Sequence, residues 1–320
     1  MSVTARPPYD PELAAVLEVV NETLPSTLTT AMIEPMRSVS VTPPIEEVLA
    51  SRDVTHRELT VPGYEGADLT VSVFARSDHT AAGPGIYHTH GGGMIIGDRF
   101  TGIEVMLDWV EQLDAVCVSV EYRLAPEFPD PYLVEDCYAG LTWTAEHAEE
   151  LGIDPTRLVI AGGSAGGGLA AGTTLLARDR SGPALAGQVL IYPMLDDRNQ
   201  TVSSQQYDGV GIWDRSSNET GWTALLGERR GTDDVSIYAA PAWATDLSGL
   251  PPTFVDVGSA EVFRDECVAY ASQIWADGGV AELHVWPGGF HGFDAMAPQA
   301  AVAQAMLAAR TSWVARLLGG

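Results

Sequence analysis

Hydrophobic and polar positions change period along the chain. Residues 1–55 read as helical pieces broken by proline, and PELAAVLEVV carries the clearest helix-spaced apolar stripe. From Leu59 the period falls to two: LTVPG and ADLTVSVFAR alternate as strands and predict an antiparallel pair. Five short apolar runs follow, GIYHTH, AVCVSVEY, RLVIAGG, GQVLIYP and PTFVDVG, of the kind buried on both faces of a sheet. Helical patterns lie between and after them: IEVMLDWVEQL, LVEDCYAGLTWTAEHAEEL, AGGGLAAGTTLLARD and EVFRDECVAYASQIWAD. ELHVWPG closes the chain as a last strand and AVAQAMLAARTSWVARLL as a last helix. Such alternation predicts an α/β domain with a mostly parallel sheet.

One segment interrupts the pattern. Between Gln200 and Ala239 the alternation stops, and Trp213 and Trp222 sit among polar residues and glycines. An insertion there, after a strand, predicts a cap over the carboxyl ends of the strands, where open α/β sheets bind ligands. The expected organisation is a segment of helical pieces at residues 1–55 and an α/β domain at 56–320, with a cap insertion at 200–239. No internal repeat or low-complexity tract is visible.

Composition narrows the function. With 320 residues, 46% of them hydrophobic, the chain has the apolar content for a large core. No apolar run approaches the roughly 20 residues that span a bilayer. MSVTARPPYDPEL lacks the basic and apolar regions of a signal peptide. Cys117, Cys137 and Cys267 are widely spaced, which argues against a disulfide framework. The expected location is therefore cytoplasmic. The net charge is -26, and all 17 basic residues are arginine. Such a field repels nucleic acid and anionic membranes as partners. The absence of lysine removes Schiff-base chemistry, pyridoxal phosphate anchoring and the P-loop.

LVIAGGSAGGG is the strongest local signal. A strand ends at Ala161, Gly162-Gly163-Ser164-Ala165-Gly166 fits G-x-S-x-G, and a helix follows, the context of a nucleophile elbow. There the Ser164 hydroxyl stands at a helix N-terminus, whose dipole favours developing negative charge. The same glycines fit a short-chain dehydrogenase spacing, but the Tyr-x-x-x-Lys pair of those enzymes is impossible without lysine. A bland alternative makes Ser164 a simple N-cap. His90-Gly91-Gly92-Gly93 follows another strand and predicts an oxyanion hole, with Gly92 and Gly93 giving two N–H donors and Ala165 the third. His88 and His90 form an H-x-H pair, but no further metal ligand stands nearby, so no metal is expected. His90 is expected to orient the glycine loop and His88 to be packed.

A nucleophilic serine needs a base, which in the order Ser, acid, His belongs after the last strand. His291 in PGGFHGF fits; the competitor His284 lies inside the strand. His56, His79 and His147 read as surface residues. The acid belongs after PTFVDVG, where Asp256, Glu261, Asp265 and Glu266 compete and position favours Glu261.

HGGG at 90–93, EYRLAPEFPDP from Glu121, GGSAGG from Gly162, EVFRDE from Glu261 and HGF from His291 occur in one order. Together they make the chain resemble the hormone-sensitive lipase-like α/β-hydrolases, the bacterial family IV carboxylesterases. The resemblance implies an α/β-hydrolase fold with an eight-stranded, mostly parallel sheet, residues 56–320 forming the catalytic domain, and a small helical cap built from the N-terminal segment 1–55 plus the insertion. It also implies Ser–acid–His catalysis on carboxylic esters, with Ser164 as nucleophile, His291 as base and Glu261 as acid. Arg123 and Glu127 would brace the loop beneath the site, and a homodimer would form through the last strand and its helix. Two departures stand out: Gly163 replaces the usual acidic residue, and Glu261-Val262 replaces Asp-Pro. The expected enzyme is a serine esterase for a small, uncharged, short-acyl ester, with no cofactor. The same triad would serve an amidase or lactonase, and the same fold a non-catalytic small-molecule receptor. Trp213, Trp222 and Trp286 are candidates for the pocket wall, and equally for the core.

Overall fold

The computed structural model describes residues 5–38 and 43–319; residues 1–4 and 39–42, part of the expected N-terminal cap segment, lie outside them, as does Gly320. The expected strand pair is β1 (Val54–Pro62) and β2 (Asp68–Arg76), antiparallel with Leu59 opposite Val71. Its first strand begins at Val54, ahead of Leu59. As an edge strand, β1 leaves most of its positions at least partly exposed, so its early residues lack strong alternation. The apolar runs form β3 (Gly83–Thr89), β4 (Val116–Glu121), β5 (Ile153–Gly163), β6 (Gly187–Ile191) and β7 (Thr253–Gly258), and the closing strand is β8 (Ala281–Trp286). All eight join one sheet in the order β1-β2-β4-β3-β5-β6-β7-β8. Pairing is antiparallel up to β2–β4 and parallel from β4 to β8.

The helices are α1 (Pro11–Val20), α2 (Ile33–Arg37), α3 (Ile45–Leu49), α4 (Ile103–Leu113), α5 (Tyr132–Glu146), α6 (Ala148–Leu151), α7 (Ala165–Asp179), α8 (Val202–Gln206), α9 (Arg215–Leu226), α10 (Arg264–Ala276), α11 (Phe293–Met296) and α12 (Ala301–Leu318). The helix expected over 133–151 is broken at His147, whose ring bonds the Trp143 carbonyl and stacks on the Trp143 indole. Asp10 caps α1 by accepting from the Glu12 and Leu13 N–H groups.

Period-two strands sort their side chains onto two faces. Ile86, Cys117, Val159, Val189 and Phe254 pack with α4 and α12 residues such as Met106, Trp109, Trp313 and Val314. Their neighbours Tyr87, Val118, Ile160, Leu190 and Val255 pack on the other face with α5, α7 and α10. Helices on both faces explain why β3, β6 and β7 are buried along their whole length. The three cysteines are buried and free, and no helix among the described residues is long and apolar enough to cross a membrane.

A third cluster joins the N-terminal segment to the loop after β8. Leu13 and Leu17 of α1 pack with Phe290, Phe293 and Met306, while the Asp10 N–H donates to the Gly288 carbonyl. Glu127 takes a two-pronged bond from Arg37 at the end of α2. Arg123 grips the buried Asp136 with Nε and NH2 at 2.7 Å each, and its guanidinium faces the rings of Phe128 and Tyr132. His79 departs from the surface reading: Nδ1 meets Asp114 at 2.9 Å and Nε2 the Gly152 carbonyl at 3.1 Å, tying two loops together. His56 is also engaged, stacked on Phe74 and bonded to Ser72.

Leu13 has no exposed surface, so Leu13→Ala leaves a cavity between α1 and the loop after β8. The expected cost is about 2–5 kcal/mol, read as a lower urea midpoint. An unchanged midpoint would mean that α1 lies outside the cooperative unit.

Candidate active site

Ser164 stands between the end of β5 and the start of α7 with φ 58° and ψ −123°, backbone angles that a non-glycine residue rarely holds. Its neighbours make the turn feasible. A Cβ at Gly162 would fall on the Gly166 carbonyl and Thr89 Oγ1, and one at Gly166 on the backbone of Thr89 and His90. The Ser164 N–H donates to the Ile191 carbonyl at 2.9 Å, and its own carbonyl accepts from Met194 N–H at 2.9 Å. Gly163 is different: a Cβ there would meet Tyr192 Cε2 at 3.5 Å, an ordinary contact, so the backbone does not demand glycine.

The structure brings the three expected side chains into one hydrogen-bonded line. His291 Nε2 lies 2.9 Å from Ser164 Oγ, and His291 Nδ1 lies 2.6 Å from Glu261 Oε2. Glu261 Oε1 accepts the Gly258 N–H at 2.8 Å, which fixes the carboxylate, whose side chain is wholly buried. The rings of Tyr192 and Phe263 stand nearly perpendicular to that of His291, with centroids 4.8 and 5.0 Å away. This arrangement can take a proton from Ser164 Oγ and hold the resulting imidazolium against a carboxylate.

The competitors have other partners. Asp256 is paired with Arg310. Asp265 accepts the Ser203 N–H and pairs with Arg264. Glu266 accepts the Leu195 and Asp196 N–H groups, and burial pushes its carboxyl well above the usual range. His284 bonds Glu282 and stacks on Trp286 along β8.

The glycine loop lies beside the elbow: a Cβ at Gly91 would be 3.6 Å from Ser164 Cβ. Gly92 holds φ 121°, and a side chain there would run into the Ile96 carbonyl. Among the described residues, the N–H groups of Gly92, Gly93 and Ala165 donate to no backbone acceptor. His90 orients the loop as expected, with Nδ1 2.8 Å from the Gly91 carbonyl and its ring stacked 4.0 Å from Tyr122. His88 bonds Ser119, and burial pulls its imidazole down to about 3, so it stays neutral. Of the three tryptophans, Trp213 packs against Gly93, Trp222 is core, and Trp286 stays with His284.

The family model described as alpha/beta hydrolase fold matches residues 86–295. The chain belongs to the hormone-sensitive lipase-like α/β-hydrolases. Carboxylesterase NlhH of Mycobacterium tuberculosis is 36% identical over 300 residues, covering 90% of each chain. Among solved structures, a bacterial heroin esterase superposes with a TM-score of 0.88 at 37% identity, covering 97% of this chain and 98% of that one. Esterase LipW of Mycobacterium marinum gives 0.87 at 30% identity and covers 99% of both chains. This hydrolase is accordingly a carboxylic ester hydrolase. Tyr192 and Phe263 are absent from the sequence reading: nothing near Tyr192 marks it as a neighbour of His291, whereas Phe263, two residues after Glu261, had that proximity as a signal.

Gly162→Ala and Gly166→Ala are expected to displace the elbow and to abolish soluble, active enzyme. Gly163→Ala should leave the thermal midpoint close to wild type. Thermal melts and ester hydrolysis read both, and equal damage at all three positions would refute the distinction.

Proposed function

We propose that this chain hydrolyses uncharged, short-acyl carboxylic esters through Ser164, His291 and Glu261 by way of an acyl-enzyme. The observation that carries the reading is the unbroken hydrogen-bond line from Glu261 through His291 to Ser164 Oγ. Ser164 Oγ bonds to the ester carbonyl carbon while its proton passes to His291 Nε2. The N–H groups of Gly92, Gly93 and Ala165 receive the oxyanion, and each such donor lowers the barrier by about 3 kcal/mol. The carbon–alkoxide bond then breaks, and His291 returns the proton to the departing alcohol. Water attacks the acyl-enzyme and gives a proton to His291; the carbon–Oγ bond then breaks, and His291 returns that proton to Ser164 Oγ as the acid is released. Glu261 holds the imidazole's tautomer and faces its positive charge throughout.

The named activities of the relatives, carboxylesterase and esterase, favour an open ester over an amide, a lactone or a silent receptor pocket. A net charge of -26 disfavours anionic substrates. Residues 1–55 and 200–239 are read as the cap over the catalytic domain, which supports a small acyl pocket. Bonds between the two segments, such as Thr27 Oγ1 to Asp214 Oδ2 at 2.7 Å, support a single cap. A homodimer would use the free edge of β8, where Val280 and Val285 are exposed.

Hydrolysis of p-nitrophenyl esters from acetate to laurate tests the proposal. Activity should peak at the short chains. Ser164→Ala or His291→Ala should lower kcat by at least about 10⁴-fold, and Glu261→Gln by a similar order. A folded Ser164→Ala variant with wild-type activity would overturn the assignment.

A further inference from the structure

Arg310 of α12 is a fully buried arginine, and the two carboxylates it bonds lie close in the chain to Glu261 and His291. Its Nε meets Asp256 Oδ2 at 2.7 Å, and its NH1 meets Asp294 Oδ2 at 2.6 Å. Asp256 belongs to β7, which leads to Gly258 and Glu261. Asp294 lies in the first turn of α11, which begins two residues after His291. The second oxygen of Asp294 accepts from the Tyr192 hydroxyl at 3.0 Å, and the Arg310 guanidinium faces the Tyr192 ring at 5.6 Å.

Tyr192 is itself strained. Its φ is 36°, in the left-handed region where a bulky residue is an outlier. The Tyr192 N–H is anchored on the Asp256 carbonyl at 2.7 Å, so backbone, hydroxyl and ring are all held by one network. The ring so fixed is the one that stands nearly perpendicular to the His291 ring, with centroids 4.8 Å apart. Packed hydrophobic residues can often replace a buried ion pair without loss of stability, so stability alone does not account for such a network.

We infer that Arg310, Asp256, Asp294 and Tyr192 form a positioning network that holds His291 in line between Ser164 and Glu261. None of the four touches the reacting atoms; they act through the placement of the imidazole. This role rests on the proposed triad. Strained backbone and buried charge thus serve geometry, since a displacement of about 1 Å at a reacting group costs on the order of 100-fold in rate.

The test compares Tyr192→Phe, Asp294→Asn and Arg310→Lys with wild type on a short p-nitrophenyl ester. Tyr192→Phe removes a single hydroxyl and keeps the ring, so it is the variant expected to fold normally. It should lower kcat about 10-fold or more with KM nearly unchanged, and shift the acid limb of the kcat/KM profile. Asp294→Asn should do the same more strongly, and Arg310→Lys, which keeps the charge but loses the fork, should also lower kcat more than Tyr192→Phe. If Tyr192→Phe and folded Asp294→Asn retain wild-type kcat and pH profile, the positioning role is overturned. Ser164→Ala in the same assay separates the two questions: activity surviving there overturns the triad itself, whatever the Tyr192 result.

Discussion

The site depends on one turn in which the backbone is forced where a side chain is unwelcome. Ser164 at φ 58° and ψ −123° carries a strain of roughly 1–3 kcal/mol that surrounding structure must offset. The offset is visible on both sides. Its N–H and carbonyl are bound to Ile191 and Met194, and the close approach of Gly162 and Gly166 to the β3 strand end fixes the chain before and after it. From that constraint the rest follows. The hydroxyl is lifted off the sheet, α7 starts directly beneath it, and the HGGG loop comes to rest alongside. Only a loop from the far end of the chain, carrying His291, then remains to be brought to the hydroxyl.

This is also why so much of the site could be read from the sequence. A turn that tolerates only hydrogen at two positions leaves a local mark, G-x-S-x-G between a strand and a helix. The glycine loop leaves another for the same reason. Glu261 and His291 were legible by topology, because the carboxyl ends of successive parallel strands lie in a row and each presents one loop. β6, β7 and β8 are parallel neighbours, so residues after β7 and β8 fall beside one another without any local motif.

What stayed hidden has no local mark. Arg310 sits in a helix of otherwise ordinary pattern, and its partners Asp256 and Asp294 lie on other elements, as does Tyr192. An arginine among apolar residues reads as a solvated position until the fold shows two carboxylates waiting for it. His79 was misjudged in the same way: its polar neighbours in sequence are no guide, since Asp114 and Gly152 reach it from distant loops. The break at His147 hides because a side chain that bonds the preceding turn leaves the apolar pattern intact.

The charge composition acquires a structural meaning through the same contacts. Arginine is the only side chain with a fixed positive charge, and many of its pairs use the planar fork: Arg37 on Glu127, Arg123 on Asp136, Arg180 on Glu135. Those arginines are engaged within the fold, so the excess of carboxylates is left to dominate the outer field. At physiological ionic strength that field reaches only about 8 Å, too short to steer a distant molecule but enough to act at the mouth of a site. For the proposed reaction its effect is asymmetric. The ester enters uncharged and is indifferent to the field, whereas the carboxylate product is an anion that the field pushes outward. The net charge therefore weighs against anionic esters and leaves neutral ones unaffected.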